Sequence, residues 1–291
     1  MGAPTDTSLP VGFAGALSRH VKVCDGGRTL VGGSAGSVLY LAPEAAALIG
    51  SGPVYAEPGT AATLVRLLLD RGFAHPVWAD PPVADEEVVD VTVVVPVQDR
   101  PAALGRLLAG LPSGVPVIVV DDGSRDPAAV AEVCSAYGAT LLVHPVNSGP
   151  AAARNTGLRE VRTPYVAFCD SDVLPTPGWL GTLRRHLDDP AVAVVAPRIL
   201  GPEASAADTW LERYEQARSS LDLGATPAAV KAGGVVSYLP SACLLARVEA
   251  LGAGFDEDLR AGEDVDLVWR LLATGLRAGR VCPPRASGEV R

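Results

Sequence analysis

The stretch Phe168-Cys169-Asp170-Ser171-Asp172 closes an apolar run that opens at Tyr165, and it sets two carboxylates two residues apart where a strand should end. Side chains alternate with a period of two along a strand, so Asp170 and Asp172 are expected on one face. Like charges held that close repel unless a cation or water relieves them, which makes the pair a candidate divalent-metal site. Hard carboxylate oxygens suit Mg2+ or Mn2+, not zinc, with water and substrate phosphates completing the shell. Two further acidic stations frame this one. Asp121-Asp122 ends the run Val117-Ile118-Val119-Val120, and Glu263-Asp264 opens a helical pattern near the C-terminus.

The 291 residues suffice for a small domain followed by a medium one. Hydrophobic residues make up 48% and charged residues 20%, so the chain is expected to be globular with a substantial core. A net charge of −9 argues against nucleic-acid or anionic-membrane binding, both of which rest on clustered Lys and Arg. Cys24, Cys134, Cys169, Cys243 and Cys282 show no Cys-x-x-Cys spacing and are read as buried thiols in a reducing cytoplasm. Met1 to Pro10 lack the charged and apolar regions of a secretion signal, and no apolar run is long enough to span a membrane.

A Pro pair and an acid cluster between Ala79 and Glu87 mark a linker over 80–89, dividing a unit at 10–79 from one at 90–291. In the first unit, Val21-Lys22-Val23 and Thr29-Leu30-Val31 flank Asp25-Gly26-Gly27-Arg28, which predicts a hairpin. Helices are expected over Pro43 to Ile49 and Thr60 to Arg71. The second unit alternates strands (Val91 to Val97, Val117 to Val120, Thr140 to Val143, Tyr165 to Cys169, Val192 to Ala196) with helices (Pro101 to Leu111, Pro127 to Tyr137, Gly149 to Val161, Pro177 to Leu187). That rhythm is α/β, a mainly parallel sheet flanked by crossover helices. A second apolar strand region, Val235 to Ala246, precedes the last helix, Asp264 to Thr274.

Ligands of an open parallel sheet bind beyond the carboxyl ends of its strands. The first strand passes through Pro96 to Asp99, and Asp121-Asp122 ends the second; a carboxylate there can accept from a base imide or ribose hydroxyls, or simply cap the next helix. The segment Asn147-Ser148-Gly149-Pro150-Ala151-Ala152-Ala153-Arg154-Asn155-Thr156-Gly157 enters a helix with small residues and brings Arg154 within reach of a diphosphate. Glu263 and Asp264, in a first helical turn, present a general base on a rigid element. Trp210, Tyr214, Tyr238 and Trp269 are candidates for stacking on a sugar ring, and the four His residues form no triad. These stations together suggest nucleotide-sugar chemistry.

With Val95-Pro96-Val97, Val119-Val120-Asp121-Asp122-Gly123-Ser124, Asn147 through Gly157, Asp170-Ser171-Asp172 and Glu263-Asp264 in this order, the chain resembles the family-two inverting glycosyltransferases of the GT-A nucleotide-sugar-binding fold. The resemblance implies that Asp121 or Asp122 contacts uracil, that Asp172 holds the metal and diphosphate, and that Asp264 is the base. Including Gly32-Gly33-Ser34 and Leu64 to Pro76, the whole chain is similar to the glycosyltransferases of mycofactocin biosynthesis. That similarity implies a small winged-helix-like α+β peptide-recognition module at the N-terminus, UDP-glucose as donor and a peptide-derived, premycofactocin-type acceptor. A DNA-binding winged helix is disfavoured, since residues 1–83 hold five Lys/Arg against six Asp/Glu. The family pattern has a His after the acidic helix and a longer C-terminal region, whereas no His follows His186 here. The alternative expectation is therefore a truncated, weak transferase acting mainly as a peptide-binding protein, and any membrane association would belong to a longer C-terminal region.

Overall fold

The computed structural model describes residues 8–10, 12–33, 36–200, 209–210, 221–234, 236–281 and 289–290. Ser34, Tyr214, Val235, Cys282 and the stretch 282–288 lie outside them. The N-terminal unit comprises β1 (Phe13–Leu17), β2 (Lys22–Cys24), β3 (Thr29–Gly32), β4 (Ser37–Tyr40), α1 (Pro43–Ala46), β5 (Val54–Tyr55), α2 (Thr60–Asp70) and β6 (Ala74–Trp78). The predicted hairpin forms: β2 and β3 pair antiparallel with Cys24 opposite Thr29, and Gly26 adopts φ 60° in the turn between them. Two three-stranded antiparallel sheets, β5-β1-β6 and β2-β3-β4, enclose a core with α2. Leu64 and Leu68, one turn apart on α2, are buried in it beside Phe13, Leu30 and Phe73. Cys24 is exposed, against expectation, because β2 is exposed along its whole length.

The second unit contains β7 (Val91–Val97), α3 (Pro101–Gly110), β8 (Val117–Asp122), α4 (Pro127–Tyr137), β9 (Thr140–His144), α5 (Pro150–Glu160), β10 (Tyr165–Cys169), α6 (Trp179–Arg184), β11 (Val192–Ala196), β12 (Arg198–Ile199), β13 (Ala228–Ala229), β14 (Cys243–Arg247), α7 (Val248–Leu251), α8 (Glu263–Ala273), β15 (Arg277–Arg280) and β16 (Glu289–Val290). Its eight-stranded sheet has the order β13-β15-β11-β14-β10-β7-β8-β9. β10, β7, β8 and β9 run parallel, and β14 enters antiparallel between β10 and β11. Both faces are covered. Val93, Val95, Val119 and Leu245 point to the α3, α4 and α6 side, while Val94, Val120 and Leu244 point to the α5 and α8 side. Among the described residues no helix is long and apolar enough to cross a membrane.

The segment read as a linker is clamped. Asp85 is buried, and its carboxylate accepts the backbone N–H groups of Gly178 (2.7 Å) and Gly181 (2.8 Å), capping α6 from a distance. A Cβ at Gly181 would lie 2.1 Å from the Val83 carbonyl oxygen. The N-terminal unit is then tied down by charge. Arg66 of α2 grips Asp189 through two hydrogen bonds of 2.8 and 3.0 Å, and Arg277 pairs with the same carboxylate and with Asp70 at 3.1 Å. Trp78 packs edge-on against His186 at 4.6 Å, under the Arg185 guanidinium.

Gly181→Ala should therefore destabilise the fold by about 1–3 kcal/mol, read from chemical denaturation, since backbone must move to admit the methyl group. Burial, aided by Arg185 and His75, lowers His186 from 6.5 to about 3. A depressed pKa stabilises above the unfolded value, and that contribution is lost as pH falls toward the folded one. The denaturation midpoint should thus fall between about pH 6.5 and 3, and His186→Phe should flatten that slope.

Candidate active site

Beyond the carboxyl ends of β7, β8 and β10 lies a cleft of 430 Å³. Pro96 lines it from β7, at a point where the strand has passed its last register partner on β10 and an absent N–H costs nothing. Gly149, with φ 90° at the entry to α5, lines it as well. β10 stops at Cys169, before either carboxylate, so strand alternation does not set their directions. Asp170 and Asp172 sit instead on a turn closed by the Val173 N–H to the Asp170 carbonyl (3.0 Å). Both still line the cleft, each beside an arginine: Asp170 with Arg154 at 2.6 Å, and Asp172 with Arg100.

Arg154 also lines the cleft, but it is engaged with protein carboxylates. Its side chain, 4% exposed, bridges Asp170 and Glu263 (3.0 Å) and lies 5.4 Å from the Phe255 ring, so its terminal nitrogens serve protein carboxylates rather than standing free for a diphosphate. Burial pushes the Asp170 carboxyl above the ordinary carboxylate range; Arg154 pulls it back, and Asp172 and Glu263 push it further up.

The two acids ending β8 separate by alternation. Asp121 turns away from the cleft toward α4. There its Oδ1 accepts the Ser124 N–H (3.0 Å), and burial together with its charge raises the Cys134 thiol to about 11. Asp122 lines the cleft, and its carboxylate accepts the N–H groups of Ser148 (2.9 Å) and Gly149 (2.8 Å) and bonds His144 Nδ1 (2.8 Å). His144 Nε2 continues to Thr156 Oγ1 at 2.9 Å. Gly123, at φ 71°, lets this loop approach: a Cβ there would meet the Asn147 nitrogen at 2.5 Å. Asp99 does not line the cleft. Held at φ 55°, it accepts the Arg125 N–H (2.7 Å) and Nε (3.0 Å), bracing the loop after β7 against the loop after β8.

Glu263 and Asp264 open α8 after Gly262 and both line the cleft. Asp264 accepts from Val265 N (2.8 Å) and Ser241 N (3.3 Å), which fixes its carboxylate; among the described residues no arginine pairs with it. Trp210, Tyr238 and Trp269 do not line the cleft; the Trp269 Nε1–H donates to the Ser237 carbonyl at 2.7 Å. Three residues given no role from sequence belong to the site. Arg100 is a charged residue just past a strand and was legible in principle, whereas His144 and Ser241 are recruited only by contacts distant in the chain.

Among the described residues no three Asp, Glu, His or Cys side chains gather to enclose a metal. Asp170 and Asp172 remain a sparse, hard-oxygen donor set, which fits Mg2+ or Mn2+ completed by water and phosphate oxygens. Arg154→Met should cost on the order of 3 kcal/mol in urea denaturation, because it strands two partly buried carboxylates.

The sequence pattern of the Glycosyl transferase family 2 matches residues 92–254. Across 94% of its length the chain is 45% identical to the pre-mycofactocin glycosyltransferases of Mycobacterium tuberculosis strains CDC 1551 and H37Rv, and it spans 57% of their length. It is 28% identical over 199 residues to the succinoglycan biosynthesis protein ExoU of Rhizobium meliloti, covering 65% of this chain and 58% of that one. Among solved structures, the mannosyltransferase PcManGT from Pyrobaculum calidifontis in complex with GDP-Man and Mn2+ superposes with a TM-score of 0.51 at 24% identity, over 73% of this chain and 60% of that one. S. aureus TarS 1-349 in complex with UDP-GlcNAc gives 0.51 at 20% identity, over 67% of this chain and 57% of the other. These likenesses establish a GT-A-like α/β fold, and since the matched pattern covers more than half of its residues, the chain belongs to glycosyl transferase family 2.

Proposed function

We propose that the chain is the donor-binding and transfer part of an inverting glycosyltransferase that moves a hexose from UDP-glucose onto a peptide-derived, premycofactocin-type acceptor. The observation that carries the reading is the convergence of Asp122, Asp170, Asp172, Glu263 and Asp264 on one cleft at the strand ends. Extensive identity to the pre-mycofactocin glycosyltransferases supports the acceptor class. In this reading 90–291 form the transfer domain, 80–89 join it to the N-terminal unit, and 10–79 take part in recognising the peptide-derived acceptor.

Asp170 and Asp172 would hold Mg2+ or Mn2+, which neutralises charge building on the departing diphosphate. Of the two acids ending β8, Asp122 is on the cleft side, so the uracil contact is assigned to its neighbourhood with Pro96 and Gly149. Arg100, 60% exposed at the cleft wall, is available to the diphosphate once released from Asp172. Asp264 takes the proton of the acceptor hydroxyl as that oxygen attacks the anomeric carbon opposite the leaving UDP. Glu263 is unsuited to that task because Arg154 holds its carboxylate; it positions the helix start instead. Preorganised charge around the reacting centre is the contribution on which this mechanism chiefly relies.

Incubation with UDP-glucose and Mn2+ or Mg2+, with and without a premycofactocin-type acceptor, should release UDP and add hexose units to the acceptor's mass. Asp264→Asn should lower transfer by about 10²–10⁴-fold while UDP binding persists. Normal transfer by that variant would remove Asp264 from the base role, and full metal-dependent turnover by Asp172→Ala would remove the metal assignment.

A further inference from the structure

A second cavity, also 430 Å³, lies where the N-terminal unit meets the β13–β15 edge of the large sheet. Its floor is apolar, with Phe13 and Leu69 on one side and Val195, Val236 and Ala278 on the other. Interfaces between folded units are favoured places for ligand cavities, and this size suits a drug-sized molecule. The charged side chains around it already hold partners in the protein. Asp189 is gripped by Arg66 and Arg277, the Arg280 guanidinium donates to the carbonyls of Gly224 and Thr226, and Arg19 donates to Thr226 Oγ1 at 2.7 Å.

Two imidazoles stand apart from that pattern. His75 and His186 both line the cavity, and among the described residues neither ring makes a hydrogen bond to the protein. Each nevertheless keeps part of its surface accessible, so its ring nitrogens are served by whatever fills the space. Burial lowers both pKa values, His186 to about 3, so the two rings are neutral near pH 7. Each neutral ring offers one donor and one acceptor. An ionic ligand would have to draw Arg19, Arg277 or Arg280 away from the groups they already bond, or enter the apolar floor uncompensated, at a large desolvation cost.

We propose that this cavity between the two units binds an uncharged, largely apolar small molecule that carries a hydrogen-bonding group, with His75 and His186 as its polar contacts. It is separate from the transfer cleft, but one segment touches both: Leu221 lines the cleft, and Leu223 through Ala229 line the cavity.

Fluorescence titration of the full chain with N-phenyl-1-naphthylamine, a neutral apolar amine, tests this. Saturable one-site binding is expected, undisturbed by saturating UDP, and at least tenfold tighter than that of 8-anilinonaphthalene-1-sulfonate, which carries similar rings with a charge. Ala228→Phe and Ala225→Trp, which fill the cavity from its rim, should each abolish binding in protein shown by circular dichroism to be folded. His75→Phe and His186→Phe should each weaken it about fivefold, the worth of one net hydrogen bond. Absence of saturable binding, equal binding of the sulfonate, displacement by UDP, or indifference to both filling substitutions would each overturn the proposal. Unchanged affinity in both His variants would overturn the assignment of the imidazoles. No sugar donor enters the measurement, so its outcome is independent of the transferase reading.

Discussion

A single buried guanidinium holds the cleft at the strand ends together. Arg154 reaches from α5 to Asp170 at the end of β10 and to Glu263 at the start of α8, joining three elements that approach the cleft from different directions. Without it, two carboxylates and the nearby Asp172 would face one another in a partly desolvated space, a repulsion that separation or protonation would have to relieve. With it, the turn after β10 and the first turn of α8 stay adjacent, and Asp264 is delivered to the cleft wall. Such a pair is costly to desolvate and costlier to break, so its worth lies in fixing geometry more than in net stability.

The architecture was legible where local pattern suffices. Val91 to Val97, Tyr165 to Cys169 and Val192 to Ala196 are strands with the expected bounds, and Pro127 to Tyr137 is a helix with the expected bounds, because β-branched runs and a proline at a helix start act within a few residues. The order of acidic stations also survives, since a parallel sheet brings its strand ends to one side. Partners were what sequence hid. The link from Arg154 to Glu263 spans 109 positions, and nothing near Arg154 announces it. Asp99 is similar: its carboxylate follows a strand as expected, but the loop 26 positions away claims it. The antiparallel entry of β14 is likewise a matter of long-range pairing, invisible in a run of apolar residues.

The junction between the two units shows how an acidic chain uses its few cations. Arg66 and Arg277 converge on one nearly buried carboxylate, Asp189, and Asp70 offsets the second positive charge. Desolvation and the nearby Arg66 lower the Arg277 guanidinium to about 10, which leaves it charged at neutral pH. Asp85 and the Trp78–His186–Arg185 stack close the same junction at either end, so what reads in sequence as a linker is a packed seam.

That seam imposes an order on synthesis. Arg66 and Asp70 leave the ribosome early, Asp189 follows more than a hundred residues later, and Arg277 comes 88 residues after that. At ordinary translation speeds the N-terminal unit waits roughly ten to forty seconds for Arg277. It must persist through that interval on its own small core, with an arginine and the edge of Trp78 facing water. A nascent chain stalled before β15 would thus expose a half-neutralised face, a surface that a chaperone or protease could read as the mark of an unfinished fold.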